Sequence, residues 1–211
     1  FAMTHRISKC VLAVLGQLCL LCLLYCNVFS SPSDEPAGGK TLILYYSLTG
    51  NTRAGCEALQ KELDAAIVEI KNLRKRTGKW GFFKTATASL VGKHTKIEPE
   101  KVDLAGYQNI ILGSPVWTGK LSMAMRTFID RNRFDGKKVI IYTTTNAYEK
   151  EKYKEKGRNL VRKKGGDVVG YYQILAKEEV DGEKTDRTKE RIIKDTIALV
   201  PEIKGLFSAT P

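Results

Sequence analysis

From residue 40 onward the chain alternates short apolar runs with amphipathic stretches. The apolar runs are typical of buried strands and cover residues 41–46, 66–70, 109–112, 138–143 and 168–175. Helical spacing of apolar side chains predicts helices over residues 51–63, 123–129, 148–164 and 188–199. Strands that alternate with helices are typical of a parallel sheet with helices on both faces. The pattern therefore predicts an α/β fold, a three-layer doubly wound parallel five-stranded sheet of order 2-1-3-4-5.

The first forty residues do not share this alternation. Arg6 and Lys9 precede an apolar run over residues 10–29, and a stretch rich in Ser, Pro and Gly follows. A basic start, an apolar run and small residues near Ser30 are typical of a signal peptide, and the run is also long enough to span a bilayer. We predict a signal peptide or membrane anchor at residues 1–30, a flexible linker at 31–39 and a folded domain at 40–211.

The charge around this leader predicts where the domain lies. Basic residues on the amino-terminal side of an apolar run stay on the cytoplasmic side. The protein is therefore expected to be exported, or anchored in a membrane with its domain on the non-cytoplasmic side. In the alternative interpretation the leader is not translated, since the chain starts at Phe1 rather than at Met, and the domain is cytoplasmic.

The segment that joins the first strand to the first helix is the most informative in the chain. Residues 47–52 are Ser-Leu-Thr-Gly-Asn-Thr, which supply hydroxyls and a flexible glycine at a helix N-terminus. Backbone N–H groups and the helix dipole attract anions there, so a phosphate fits. In the alternative interpretation these residues only cap the helix. With strand order 2-1-3-4-5, this turn lies at the crevice between the first and third strands.

Two further strands end at the same crevice. The third continues into Gly-Ser-Pro-Val-Trp-Thr-Gly at residues 113–119, which predicts a loop that carries the indole of Trp117. The fourth ends in Thr-Thr-Thr-Asn-Ala-Tyr at residues 143–148. An exposed indole can stack on a planar ring, although Trp117 could instead fill the core and Tyr148 could lie on a surface helix. The three strand ends together predict a site for a phosphorylated planar cofactor.

At these residues the chain resembles the flavodoxin family. Residues 44–52, Leu-Tyr-Tyr-Ser-Leu-Thr-Gly-Asn-Thr, are similar to the family's FMN-phosphate loop. Residues 113–119, followed by Met-Arg-Thr-Phe at 125–128, are similar to its flavin-stacking loop and third helix. The resemblance spans residues 40–200 and implies FMN as the cofactor.

The resemblance also implies roles for individual residues. The 47–52 loop would hold the phosphate through side-chain hydroxyl and amide groups and through the backbone. Trp117 would pack on one face of the isoalloxazine, and the peptide between Thr118 and Gly119 would turn to offer its carbonyl to flavin N5–H on reduction. The end of the fourth strand matches only by position, with Tyr148 as a second stacking ring. The predicted cofactor-binding residues are Ser47, Leu48, Thr49, Gly50, Asn51, Thr52, Ser114, Pro115, Val116, Trp117, Thr118, Gly119, Thr144, Thr145, Asn146 and Tyr148.

Three functions are compatible with this site. The first is an FMN-binding electron-transfer flavoprotein, in which the protein places the flavin and the flavin supplies the chemistry. The second is an NAD(P)H-dependent flavin or quinone oxidoreductase on the same fold, since fold alone does not separate the two. The third is a flavin-free binding module that uses its basic face. The sequence carries no catalytic His–carboxylate pair and no metal-spaced cluster, so no catalytic or metal-binding residue is predicted.

The charge balance bears on partners. The 35 Lys and Arg against 23 Asp and Glu give a formal charge of +12. Residues 1–30 hold two of the basic residues and none of the acidic ones, so the remainder carries +10. Such a charge favours redox protein partners with acidic surfaces, and no nucleic acid is expected because no nucleic-acid-binding module accompanies it. The acid-free basic segment 71–96, which contains three aromatic residues, could also contact an anionic membrane surface or simply pack on the domain.

Cysteine usage adds one constraint. Four of the five cysteines lie in the leader, and only Cys56 lies in the domain. The domain is therefore expected to form no internal disulfide, with Cys56 on the core face of the first helix.

Overall fold

The computed structural model describes residues 39–73 and 94–209. Its elements are, in chain order, β1 (Thr41–Tyr45), α1 (Asn51–Leu63), β2 (Ala66–Glu69), β3 (Lys71–Asn72), β4 (Ile97–Glu98), β5 (Asn109–Trp117), β6 (Lys120–Leu121), α2 (Met123–Arg131), β7 (Lys138–Thr145), α3 (Glu151–Arg162), β8 (Asp167–Leu175), β9 (Lys177–Val180), β10 (Glu183–Asp186), α4 (Lys189–Ile197) and α5 (Val200–Ser208).

Five of these strands form a parallel sheet in the order β2-β1-β5-β7-β8. Counted along the chain, this is the order 2-1-3-4-5, so the predicted doubly wound fold is confirmed. The central strands β1, β5 and β7 begin with nearly unbroken apolar runs because both faces of a parallel sheet are covered by helices. The winding direction reverses between β1 and β5, and this places the ligand crevice at their carboxyl ends.

The sheet separates two hydrophobic cores. On one face, helices α1, α4 and α5 contribute fully or nearly fully buried side chains such as Leu59, Ile192 and Phe207. On the other face, α2 and α3 contribute Phe128 and Val161. Burying apolar surface on both faces is the main favourable term that holds this three-layer arrangement together.

The third strand is longer than predicted. It was expected to end at residue 112, but β5 continues to Trp117, so most of the predicted loop at residues 113–119 is strand. Pro115 is tolerated there because β1 ends opposite Gly113, which leaves only β7 as a parallel neighbour at Pro115. The glycines and the proline predicted a loop because the pairing that extends the strand comes from distant residues.

The carboxyl-terminal part also differs from the prediction. A single helix was expected over residues 188–199, but α4 ends at Ile197 and α5 follows from Val200 to Ser208. The predicted helix 148–164 begins three residues later, at Glu151. The antiparallel hairpin β9–β10 was not predicted, because its strands are short, polar and largely exposed and so lack an alternating apolar pattern.

Two predictions concern parts of the chain that the structure does not describe. The leader and nearly all of the linker precede residue 39, and residues 74–93 of the basic segment 71–96 also lie outside the described ranges. The two ends of that segment lie side by side, because β3 pairs with β4 and the Leu73 N–H donates to the Lys96 carbonyl at 2.9 Å. Within residues 39–73 and 94–209, the helices are too short or too polar for any of them to traverse a bilayer.

Candidate cofactor site

The loop between β1 and α1 is shaped by one glycine. Gly50 is the N-cap of α1 and has φ +86°, a left-handed conformation that costs a glycine nothing sterically. Its N–H donates to Ser47 Oγ at 3.1 Å, which closes the loop into a tight turn. Leu48 and Thr49 form the exposed tip of that turn. The loop is therefore fixed at its base and open to solvent at its tip.

The N-terminus of α1 has features that could hold an anion. Gly50 has no side chain, and no side-chain cap hydrogen bond is made at this end of the helix. The first N–H groups of a helix have no acceptor within the helix itself, and the dipole adds positive potential there. The first turn carries no acidic residue that would repel an anion. This geometry is compatible with a phosphate site, and the role of residues 47–52 toward a phosphate stays a prediction.

A buried hydrogen bond joins the first and fourth strand ends. The hydroxyls of Thr52 and Thr144 lie 2.7 Å apart, and both side chains are buried. Thr52 is the second residue of α1, and Thr144 is next to the last residue of β7. The contact holds the start of α1 against β7, so it joins two of the predicted site segments.

Trp117 lies at the end of β5, where the chain reverses into β6. Trp117 pairs with Lys120 across a two-residue turn whose central residues, Thr118 and Gly119, have φ of +52° and +70°. Two positive φ values are typical of a type I′ hairpin turn, and a threonine in this region is under backbone strain. The indole is half-buried and meets the ring of Tyr46 edge to face, with centroids 6.2 Å apart. Trp117 therefore lies at the rim of the core and does not fill it.

Three predicted residues precede this turn. Ser114 is fully buried, and its hydroxyl donates to the Pro115 carbonyl at 2.9 Å and lies 3.1 Å from Ser122 Oγ. Ser122 in turn caps α2 by accepting from the Met125 N–H. Pro115 and Val116 are half-buried. The Ser114 side chain thus connects β5 to the start of α2, and its hydroxyl lies inside the protein.

The third side of the site is the segment after β7. Thr145 donates through its hydroxyl to the Ala147 carbonyl at 2.8 Å, which makes a local turn. Asn146 is exposed, and 72% of Tyr148 is exposed. The structure places these residues beside the other strand ends but shows no ring stacked on Tyr148 within the part of the chain it describes. Their role toward a cofactor stays a prediction.

The same segment contains a carboxylate that the sequence did not single out. Glu149 Oε2 accepts hydrogen bonds from Tyr171 Oη and from Gln173 Nε2, each at 2.8 Å. Partial burial raises the pKa of Glu149, and the two hydrogen bonds oppose this rise. Glu149 therefore attaches the segment between β7 and α3 to β8.

Lys189 is a second residue that the sequence did not single out. It is the first residue of α4, and its Nζ donates to the Thr49 carbonyl at 3.1 Å and to Asn51 Oδ1. The ammonium thus lies on the predicted phosphate loop, 140 residues away along the chain from Thr49. No local pattern could have signalled this contact, because it depends on how α4 packs beside α1.

Tyr153 is a third residue that the sequence did not single out. A Cβ added to Gly119 would lie 2.7–2.9 Å from the Tyr153 ring, so the ring packs directly against the turn that follows Trp117.

Beside this contact, a groove of about 380 Å³ runs between β6, α2 and α3. Its lining includes the basic side chains Lys120, Arg126, Lys156 and Lys163. Burial lowers the pKa of Arg126, whose Nε donates to the Leu121 carbonyl at 3.1 Å.

The fold is that of the doubly wound α/β proteins, with the turn between β1 and α1 at the switch point. The flavodoxin family model matches residues 40–170, which is more than half of the chain. The chain belongs to the flavodoxin family, as its motifs predicted.

Solved structures agree with this assignment. A flavoprotein from Lactobacillus acidophilus NCFM, determined in complex with FMN, is 25% identical, with a TM-score of 0.55 over 64% of this chain and 93% of its own. A protein from Bacteroides uniformis ATCC 8492 is 22% identical, with a TM-score of 0.58 over 74% of this chain and 97% of its own, and this likeness concerns the fold. No curated protein matches the chain.

Proposed function

We propose that this protein is an FMN-binding flavoprotein that transfers electrons. The observation that carries the proposal is the glycine-capped N-terminus of α1 at the switch point, held against β7 by the hydrogen bond between Thr52 and Thr144. The family match and the FMN complex of the Lactobacillus acidophilus flavoprotein support FMN as the cofactor. Bound FMN supplies the capacity to take up and release electrons, and the protein supplies placement and electrostatics.

The residues present fit this cofactor. The turn from Ser47 to Asn51 and the first N–H groups of α1 would hold the phosphate. Trp117, backed by Tyr46, would cover one face of the flavin ring. The turn at Thr118 and Gly119, with Tyr153 behind it, would lie at the reactive edge of the ring. The backbone strain at Thr118 suits a peptide that changes orientation when the flavin is reduced.

The absorption spectrum of the purified protein tests the proposal. We expect flavin bands near unit stoichiometry, or their recovery when FMN is added to protein stripped of cofactor. A colourless protein that rejects added FMN would overturn the proposal and favour the flavin-free binding module. A Trp117→Leu variant should bind FMN more weakly, while a Trp80→Leu variant controls for the loss of an indole elsewhere in the chain.

Mixing with NADPH separates an electron carrier from a reductase. In a stopped-flow experiment, a carrier should leave its flavin oxidised over seconds, whereas an NAD(P)H-dependent oxidoreductase should bleach the flavin band within that time. Rapid bleaching that follows NADPH concentration would overturn the electron-carrier assignment and leave FMN binding intact.

We also propose that the redox partner is an acidic protein that docks beside the turn at Thr118 and Gly119. Two stripes of charge run along α3. Arg158 and Arg162 form ion pairs with Glu151 and Glu155 on one stripe. Lys152 and Lys156, with Lys163 just past the end of the helix, form the other, and no ion pair involves them in the described part of the chain. This second stripe borders the basic groove that begins at Gly119. It would attract an acidic surface to the turn where the reactive edge of the flavin is proposed to lie.

Salt dependence tests this docking surface. One electron should pass from a reduced acidic ferredoxin to the flavin, with a proton taken up from water, at a rate that falls as salt rises. The double change Lys156→Glu and Lys163→Glu should slow this reaction at low salt by about tenfold or more. Lys194→Glu with Lys204→Glu makes the same change in net charge on α4 and α5 and is the control. Equal slowing by both pairs, or a rate that rises with salt, would contradict the proposal.

We propose that the domain acts outside the cytoplasm, on the strength of the leader sequence alone. Mass spectrometry of the protein from membrane and soluble fractions of an expressing cell tests this, since cleavage near Ser30 or retention in the membrane is expected.

The basic segment 71–96 would add contact with an anionic membrane. Sedimentation with vesicles of anionic against zwitterionic lipid tests that contact, and equal binding to both would argue against it.

A further inference from the structure

Lys189 differs from Arg53, a second cation near the loop, in what neutralises its charge. Arg53 directly follows the loop, but its guanidinium forms an ion pair with Glu69 at 2.5 Å and donates to Tyr45 Oη at 3.3 Å. The Lys189 ammonium instead donates to a backbone carbonyl and to the side-chain amide oxygen of Asn51. Both acceptors are neutral, and no ion pair involves Lys189 in the described ranges. Its positive charge is therefore not cancelled by a carboxylate.

The position of this charge is fixed by the packing of two helices. Thr188 caps α4 through a hydrogen bond from the Arg191 N–H at 3.3 Å, so Lys189 leaves the first turn of the helix in a defined direction. Its Cε and Nζ come within 3.6 Å of the place where a Cβ on Gly50 would lie. Further along the same helix, Thr196 bonds Tyr142 Oη at 2.8 Å, which ties α4 to the sheet beneath α1. The half-buried Lys189 side chain therefore reaches the loop from a rigid base.

The loop residues and Glu190 do not neutralise the Lys189 ammonium. The 47–52 loop contains no acidic or basic residue. Glu190, next in sequence, is turned to the N-terminus of its own helix, where hydrogen bonds from the backbone and from Thr188 lower its pKa. The start of α1, which has no side-chain cap, and the Lys189 ammonium thus both place positive potential at the loop.

We propose that Lys189 is the charged anchor of the flavin phosphate and that it selects FMN over riboflavin. This inference rests on the proposed function. A phosphate monoester is largely dianionic above pH 7, so it is a stronger acceptor than the neutral oxygens that Lys189 contacts. Exchange of the Asn51 oxygen for a phosphate oxygen needs no large movement of the side chain. Riboflavin has no phosphate and gains nothing from the ammonium.

The test compares two flavins on three proteins. Dissociation constants for FMN and riboflavin are measured by flavin-fluorescence quenching at pH 7.5, at low and high salt, on the wild type, Lys189→Gln and Lys194→Gln. Lys194 is an exposed residue of the same helix, and its variant loses the same charge. We expect Lys189→Gln to weaken FMN binding by about ten- to a hundredfold and to leave riboflavin binding within about twofold. Lys194→Gln should behave like the wild type.

Two further measurements make the outcomes decisive. Lys189→Arg keeps the charge and should keep most of the preference for FMN, and the salt dependence of FMN binding should be shallower in Lys189→Gln than in the wild type. If Lys189→Gln weakens both flavins equally, the side chain only shapes the loop and the inference fails. The inference also fails if both affinities are unchanged. If the wild type binds neither flavin, the proposed function itself fails, and this outcome is distinct from the others.

Discussion

At the scale of the single residue, Glu149 connects the segment after β7 to β8. Its carboxylate is half-buried and accepts from Tyr171 and Gln173. Because burial raises its pKa above the ordinary value of 4.5, the folded state binds more protons than the unfolded state between those two pKa values. The contribution of Glu149 is therefore most favourable below about pH 4.5, and it is lost as the pH rises through the raised pKa.

We predict that Glu149→Gln becomes more stable relative to the wild type as the pH rises from 4 to 7.5. Glutamine keeps an oxygen acceptor for Tyr171 and Gln173 but has no charge to bury. Urea unfolding at the two pH values measures the difference. Glu62→Gln, which removes an exposed carboxylate from α1, controls for the change in net charge. A Glu149→Gln advantage that shrinks toward pH 7.5 would show that the carboxylate is stabilised by its donors and not penalised by burial.

The residue scale is also where sequence analysis reached its limit. The predictions of the 47–52 turn and of Trp117 rested on local signals, namely a glycine before a helix and an indole among glycines. Glu149, Tyr153 and Lys189 carry no such signal, because their roles arise from contacts with β8, with the Gly119 turn and with the loop after β1. Each is one polar or aromatic residue on a helix or loop rich in similar residues. Only the packing of the elements distinguishes them.

At the scale of the element, α1 packs closely because it contains a glycine. A Cβ on Gly55 would lie 1.9 Å from Tyr142 Oη, the hydroxyl that bonds Thr196 of α4. The absence of a side chain at Gly55 thus lets the Tyr142 hydroxyl lie between α1 and α4. By contrast, a Cβ on Gly205, inside α5, would meet no atom within 4 Å.

These two helical glycines give a matched prediction. Gly55→Ala should lower the free energy of unfolding by about 1–3 kcal/mol, because the buried tyrosine must move. Gly205→Ala should raise it by up to about 1 kcal/mol, because alanine favours the helix and meets no obstacle. Thermal or urea unfolding of both variants measures the effects. Destabilisation of similar size in both would mean that helix α5 is as tightly packed as α1, contrary to the structure.

Element ends could be predicted where local and tertiary signals coincide. Helix α1 has the predicted ends, since a left-handed glycine starts it and apolar periodicity stops at Leu63. Strand β5 and the pair α4 and α5 were mispredicted because tertiary contacts decide their ends. At β5, pairing with β7 and β6 carries a Gly- and Pro-containing segment into the sheet. After α4, the predicted helix ran to Leu199, two residues beyond the observed end at Ile197, and α5 was not predicted.

At the scale of the whole molecule, net charge is the property that the sequence showed most directly. Residues 31–211 carry a formal charge of +10. The structure adds that part of this charge lies around the predicted flavin edge, at Lys120, Arg126 and Lys156, and that Lys189 lies at the 47–52 loop. A positive surrounding attracts acidic partners and also stabilises a negative charge on the cofactor itself.

This charge predicts the redox behaviour of the bound flavin. The second one-electron step of reduction places a negative charge on the ring, and a unit charge about 10 Å away in water changes its energy by about 0.4 kcal/mol, or roughly 20 mV. Several basic residues should therefore raise the second potential by several tens of millivolts at low ionic strength. Salt screens this effect, so the potential should become more negative between 20 mM and 500 mM salt.

Spectroelectrochemical titration of the FMN-loaded protein at the two ionic strengths measures this change. The Lys156→Glu and Lys163→Glu double variant reverses two charges beside the predicted flavin edge and should have a lower potential at low salt, with a weaker dependence on salt. Lys194→Glu with Lys204→Glu, which changes the net charge equally on α4 and α5, separates a local effect from the total charge. A potential that stays constant with salt, or that shifts equally in both double variants, would mean that the basic surface acts on partners alone. If only the Lys156→Glu and Lys163→Glu variant shifts the potential, the same lysines have two effects. They attract the acidic partner, and they raise the potential at which the flavin accepts its second electron.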